Sequence, residues 1–118
     1  MVDSYRDLEV WQVGMALVEQ VYAMTEQLPP TEMYGLSAQL RRAVVSIPSN
    51  IAEGKAVGGQ SYCRHLRIAL GSQSELQTQL ELARRLNMIG DADYARLMER
   101  SSQVGRMLAG LLRSLPKN

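Results

Sequence analysis

The sequence predicts an all-α fold, an antiparallel up-down-up-down four-helix bundle forming one domain over residues 1–118. Three observations predict it. Apolar residues recur three and four apart along four long stretches, the spacing of one helix face. No stretch alternates apolar and polar residues long enough to make a strand. The connections are short, which places successive helices antiparallel. Composition agrees: 46% of residues are hydrophobic, yet only 5% are aromatic and phenylalanine is absent. Such a core must be built from Leu, Val, Ile, Ala and Met.

The first helix is expected over about 5–28. Ser4 can cap it, and Asp7 gives a capping-box-like arrangement. Leu8, Trp11, Met15, Val18 and Tyr22 share one face, read as the inward one. The "LPPT" stretch ends the helix because two prolines cannot continue the hydrogen-bond ladder. Thr31–Tyr34 form a short turn before Gly35. The second helix, about 37–57, has Ser37 as its expected cap. Leu40, Val44, Ile47 and Ile51 form its apolar face, and Gly58–Gly59 are the hinge after it. The third, about 61–88, carries Leu66, Ala69, Leu70, Leu76, Leu80 and Ala83 inward, with Gly90 as its expected C-cap. Asp91 is the expected cap of the fourth, about 92–114. Its stripe is Tyr94, Leu97, Val104, Leu108, Leu111 and Leu115, with Ser101 as the one polar member.

The stretch "SIPSNIAEG" (46–54) interrupts the second helix. Pro48 has no N–H for the Val44 carbonyl, and an interior proline costs a helix about 3 kcal/mol. One reading is a tolerated kink near Val44–Pro48 within a single helix. The other uses the polar residues. Arg42, Ser46, Asn50 and Glu53 share a face about 100° around the helix from the apolar one, where they can bind a neighbouring helix or a second subunit. The third helix has a matching interruption in "ALGSQSEL" (69–76), with Gly71, Ser72 and Glu75. In an antiparallel hairpin turning at 58–59, facing residues have numbers summing to about 117. Arg42 is then level with Glu75, Ser46 with Gly71 and Ser72, and Glu53 with Arg64. Glu75 is expected to accept hydrogen bonds from Arg42 or Arg41, and Gly71 to let the two helices close up.

Charge is polarised along the chain: residues 1–35 carry a net −5, residues 36–88 a net +4 and residues 89–118 a net +2. Eleven of the thirteen basic residues are arginine, the side chain suited to phosphate and carboxylate recognition. Arg41, Arg64, Arg67, Arg84, Arg85, Arg96 and Arg100 are the candidate nucleic-acid contacts. Arg64 and Arg67 share a helix face, as do Arg96 and Arg100. Aromatics for base stacking are scarce, with Tyr62 and Tyr94 the nearest, so binding would be directed at the backbone and not at sequence. The competing reading is a solvated face with ion pairs.

Catalytic and metal chemistry find little support. His65 is the only histidine. It stands two residues from Cys63, so the two point to nearly opposite sides of a helix and cannot share a metal. One histidine without partners supplies no catalytic triad, and neither a P-loop nor a GxGxxG is present. No cofactor and no enzymatic activity are expected. The single cysteine fits a reducing compartment. No apolar run approaches the roughly 20 residues needed to cross a bilayer, so a cytoplasmic protein with no membrane partner is expected.

"DLEVW" (7–11), "YGLSAQLRRAVVSIPSNIAEG" (34–54) and "RIALGSQSELQTQLELA" (67–83) resemble the four-helix-bundle family of proteins encoded by intervening sequences of bacterial 23S rRNA genes. The resemblance runs from about Tyr5 to Leu115. A protein similar in fold is the accessory variability determinant of diversity-generating retroelements. The resemblance implies an up-down bundle assembled as a barrel-like pentamer, and its retroelement relative implies binding of nucleic acid and of a protein partner through a basic surface. The chain departs from the pattern in "SYCRHLR" (61–67), where relatives often carry an acidic residue three after the serine, and in its scarcity of lysine.

Oligomerisation also follows from apolar residues beyond one stripe per helix: Val10, Val13, Leu17 and Val21 on the first helix, and Met98, Met107 and Leu112 on the fourth. A homopentamer that binds RNA or DNA as an adaptor is the first expectation. The alternative is a structural protein-protein interaction ring with no nucleic-acid binding.

Overall fold

The computed structural model describes residues 4–116. Ser4 acts as a cap, but of a 3-10 turn: its Oγ accepts the Arg6 N–H at 3.1 Å, and the turn spans Tyr5–Asp7. Helix α1 (Glu9–Thr25) begins after it, at Leu8, without a side-chain cap. The expected capping box therefore does not open the first helix. A second 3-10 turn, Pro30–Glu32, leads into α2 (Leu36–Val57). Glu32 Oε1 accepts the Leu36 N–H at 3.0 Å, doing the work expected of Ser37, which lies buried inside the first turn.

Helix α2 passes through Pro48 as one helix of 22 residues. Gly58 (φ 77°) and Gly59 (φ 59°) then turn the chain in the left-handed region that side chains disfavour, and α3 runs Gly59–Arg85. Its end differs from expectation. Asn87 takes the left-handed conformation (φ 59°), and the Met88 N–H donates to the Ala83 carbonyl at 2.8 Å, a Schellman-type closure. Gly90 instead precedes α4 (Asp91–Ser114), so Asp91 is the first helical residue and not the cap. With Asp93 it places negative charge at the positive end of the helix dipole.

Among the described residues the four helices pack as an antiparallel bundle 44 Å long and 23 Å across, each lying closest to its two neighbours. The largest interface joins α2 and α3. Leu40, Val44, Ile47 and Ile51 are fully buried, as are Leu66, Ala69, Leu76, Leu80 and Ala83, and Leu97, Val104 and Leu108. Each large aliphatic side chain so buried contributes about 1.5–3 kcal/mol. Leu70, Tyr94, Leu111 and Leu115, expected inside, are only partly buried at the edge of the core.

Helix α1 is rotated from the expected orientation. Its buried face is Val10, Gly14, Leu17, Val21 and Met24. Met15 and Tyr22 are 41% and 39% exposed, and Trp11 and Val18 are half-buried. Two stripes of helical spacing lie side by side on this helix, and periodicity alone does not choose between them. Gly14 decides. A Cβ on Gly14 would already lie 3.7 Å from Ile47 and 3.8 Å from the Pro48 ring. The buried ring of Pro48 thus packs on a glycine, an apolar contact that helps offset its cost to α2. Val10, Leu17 and Val21 are consequently core residues and not surplus surface.

Candidate nucleic-acid interface

The arginines divide by what they touch. Arg41, on the α1-facing flank of α2, donates from Nε to Thr25 Oγ1 at 2.9 Å, and its guanidinium lies 4.6 Å from the Tyr22 ring centroid. It ties α1 to α2. Arg96 pairs with Asp93 at 2.9 Å, and Arg106 with Glu99 at 3.3 Å. Arg84 and Arg85 converge on Glu81, at 2.8 and 3.0 Å. Tyr94 Oη donates to the same carboxylate at 2.6 Å, and Arg84 stacks over its ring at 4.9 Å. Among the described residues, Arg42, Arg64, Arg67, Arg100 and Arg113 form no ion pair with a carboxylate.

The Glu81 cluster is tightly held. The Tyr94 hydroxyl first, then Arg85 and Arg84, hold the Glu81 carboxyl down at about 2. The hydrogen bond to Glu81 pushes the Tyr94 hydroxyl up, and Glu81 pushes Arg84 up. Two of the expected phosphate contacts therefore share one carboxylate of their own helix, which offsets one of their two charges.

The polar interruptions of α2 and α3 do meet. Ser46 Oγ and Ser72 Oγ lie 2.8 Å apart. Asn50 Nδ2 donates to the Ser46 carbonyl at 2.8 Å and to Ser46 Oγ at 3.0 Å. Asn50 Oδ1 faces His65 Nδ1 at 2.9 Å. His65 is 6% exposed, and its Nε2 has two neighbours, Arg64 Nη2 at 3.4 Å and Glu53 Oε2 at 3.6 Å. Helices α2 and α3 approach closely beside this ring. A Cβ on Gly54 would lie 2.8 Å from His65 Cβ and 3.3 Å from Tyr62 Cα.

Three expectations about this seam fail. Arg42 and Glu75 are both exposed, and neither is in an ion pair or a side-chain hydrogen bond among the described residues. Arg41 reaches Thr25 and not Glu75. A Cβ on Gly71 would meet no other side chain or neighbouring helix within 4 Å, and the residue opens to solvent, so it does not bring the helices together. The antiparallel sum sets the height of a residue along the bundle but not its rotation about the helix axis. An exposed charge gains little from pairing.

Sequence reasoning missed His65 as the partner of Asn50, although the two numbers sum to 115, close to the hairpin rule. It also missed the α3–α4 seam. Buried Gln73 donates from Nε2 to the Ser101 carbonyl at 3.1 Å and Oγ at 3.3 Å, which satisfies the polar member of the α4 stripe. Gly105 makes room for that amide, which lies 3.0 Å from where a Cβ would stand. A polar residue recurring in an apolar stripe is the available signal for such a bond.

At the end of the bundle where α3 starts and α4 finishes, a groove of about 1090 Å³ opens. Tyr62, Arg64 and Arg67 line one wall, and Leu112, Leu115 and Pro116 the other. Partial burial pushes the Tyr62 hydroxyl up, and Lys55 Nζ lies 5.8 Å from its ring centroid. Two arginines without carboxylate partners beside an apolar floor can hold an anionic group and shelter what is attached to it. Among the described residues no group of His, Cys, Asp and Glu is placed to hold a metal ion. No helix among them is long and apolar enough to cross a membrane.

Comparison with known proteins places this geometry in context. The family model described as 23S rRNA-intervening sequence protein matches residues 6–110. The chain is similar in structure to a protein of unknown function from the S23 ribosomal protein family of Bacteroides thetaiotaomicron. The TM-score is 0.83 at 21% identity, covering 89% of this chain and 99% of that one. No curated protein matches the chain.

Proposed function

The chain belongs to the 23S rRNA-intervening sequence protein family, and from that premise we propose a non-enzymatic, oligomeric adaptor in the cytoplasm that holds nucleic-acid backbones through its unpaired arginines. The observation that carries this reading is the groove wall of Arg64 and Arg67, which no carboxylate neutralises among the described residues. Arg42, Arg100 and Arg113 extend the unpaired set. Arg84, Arg85 and Arg96, bound to acids of their own helices, are secondary. Repetition of one groove around a homopentamer, the assembly the family resemblance implies, multiplies weak phosphate contacts into useful avidity.

Exposed apolar side chains available for self-association include Met15 and Tyr22 on α1, Ile68 and Leu82 on α3 and Leu86 just past its end. The same exposed residues favour the second reading, a ring that docks a protein and binds no nucleic acid.

Fluorescence anisotropy with labelled RNA and DNA at two salt concentrations separates the two. The adaptor should bind both polymers, weaken steeply with salt, and lose affinity in an Arg64→Gln/Arg67→Gln variant far more than in Arg84→Gln/Arg85→Gln. Absence of binding at low salt would overturn the nucleic-acid reading and leave the docking ring.

A further inference from the structure

The hydrogen bonds around His65 fix where its proton sits. The Ser46 carbonyl only accepts, so the Asn50 group facing it at 2.8 Å is the amide NH2. Asn50 Oδ1 therefore faces His65 Nδ1, at 2.9 Å, and an oxygen there requires that Nδ1 carry a hydrogen. The neutral ring is the Nδ1–H tautomer, and Nε2 is its bare, proton-accepting atom.

That atom stands between rivals. Arg64 has only donors, and its Nη2 lies 3.4 Å from Nε2, a contact suited to a bare lone pair. Glu53 Oε2 lies 3.6 Å from the same nitrogen and only accepts, a contact suited to a protonated one. The ring has little freedom to choose by moving, since the α2 backbone at Gly54 closes on His65 Cβ and Asn50 holds Nδ1. Its neighbours are free: the Glu53 side chain is 64% exposed and Arg64 is exposed. Tyr62 of α3 packs with His65 beside Gly54, Lys55 of α2 lies over the Tyr62 ring, and Cys63 and Arg67 of α3 line the groove with Arg64. Among the described residues no charged side chain of α1 or α4 bonds to the ring.

We propose that His65 is a proton-operated latch on Arg64. When Nε2 gains a proton, the exposed Glu53 side chain closes on it and Arg64 is expelled, which frees the guanidinium at the groove wall to meet an anion there. One proton is taken from solvent, no other covalent bond is made or broken, and the Nε2 contact with Arg64 gives way to one with Glu53. The latch rests on the reading of the groove as a phosphate-binding site, and it makes phosphate binding tighten as pH falls.

The test has two parts, both on the full chain. Long-range proton–nitrogen NMR of His65 through about pH 8 to 5 should show a neutral ring protonated on Nδ1. The Arg64 side-chain resonances should shift together with proton uptake at Nε2. Anisotropy with a fluorescein-labelled single-stranded RNA, at about 0.15 M salt, should show about fivefold tighter binding at the acid end, the worth of one added phosphate contact. Arg64→Gln should bind more weakly and lose this gain, and Glu53→Gln should shrink it. A gain that persists in Arg64→Gln would show that the ring acts by its own charge, which overturns the latch. So would a neutral ring protonated on Nε2, an Arg64 signal that ignores the ring's proton, or binding that does not change with pH while the ring titrates. If the RNA binds at neither pH, the phosphate reading of the groove fails by itself. The NMR then decides: coupled shifts of His65 and Arg64 support the latch, and uncoupled shifts overturn it.

Discussion

Ser46 Oγ lies 2.8 Å from Ser72 Oγ, a hydroxyl bond between α2 and α3 at the height where both helices lose their apolar pattern. Asn50 donates to the same Ser46 hydroxyl and to its carbonyl, and hands its oxygen to His65. The motif around Pro48 thus serves the α2–α3 interface of its own chain. Ser46→Ala and Ser72→Ala should each cost about 1 kcal/mol, the net worth of a protein hydrogen bond. The double variant should cost less than the two together. Urea denaturation of the four proteins measures this, and full additivity would show that the two hydroxyls do not depend on each other.

Three interior glycines should respond in opposite ways to alanine. At Gly71 no other side chain or neighbouring helix lies within 4 Å of the new methyl, so Gly71→Ala should stabilise by about 0.5–1 kcal/mol through the lost backbone entropy of glycine. At Gly54 the methyl would stand 3.3 Å from the Tyr62 backbone and 2.8 Å from His65 Cβ. Gly54→Ala should destabilise by about 1–3 kcal/mol by forcing α2 and α3 apart. Gly105→Ala should also destabilise, because it strikes the Gln73 amide that bonds Ser101. Thermal melts ranking Gly71→Ala above wild type and the other two below it would bear this out.

Glu81 predicts an acid-sensitive tie between α3 and α4. Its folded pKa, about 2, is depressed from the usual 4.5. The stability it contributes is therefore present above about pH 4.5 and lost as pH falls through about 2. Glu81→Gln should lower stability at neutral pH, and its deficit against wild type should shrink through that acid window. Tyr94 titrates with the opposite sign. Its hydroxyl is raised, so its contribution is present below the ordinary tyrosine range and is lost as alkaline pH ionises it. Denaturation curves collected across both windows, with Tyr94→Phe as control, test the pair.

Arg42→Ala and Glu75→Ala should each change stability by less than about 0.5 kcal/mol, as exposed charges without partners do. A buried ion pair broken at one end would cost about 3–5 kcal/mol. A loss of that size in chemical denaturation would mean that the two charges meet in solution after all.

The sequence by itself determined four helices, their order and the antiparallel hairpin of α2 on α3. Apolar spacing, paired prolines and paired glycines are local signals, and backbone geometry answers to them residue by residue. The inward faces of α2 and of the middle of α3 and α4 were legible for the same reason: each carries one dominant stripe. The level pairing of Ser46 with Ser72 followed from counting along the hairpin. Tertiary structure alone decided which of two adjacent stripes α1 buries, because that depends on where Gly14 meets the Pro48 ring. It alone decided that His65 faces Asn50 while Arg42 and Glu75 face water. Chain counting gives a residue's height on a bundle, whereas its rotation is set by how neighbouring helices pack. The candidate groove was legible only as arginines. Which of them keep a free charge was decided by acids one helical turn away, a local spacing already present in the sequence, and by the two neighbours of His65, which meet only when α2 packs on α3.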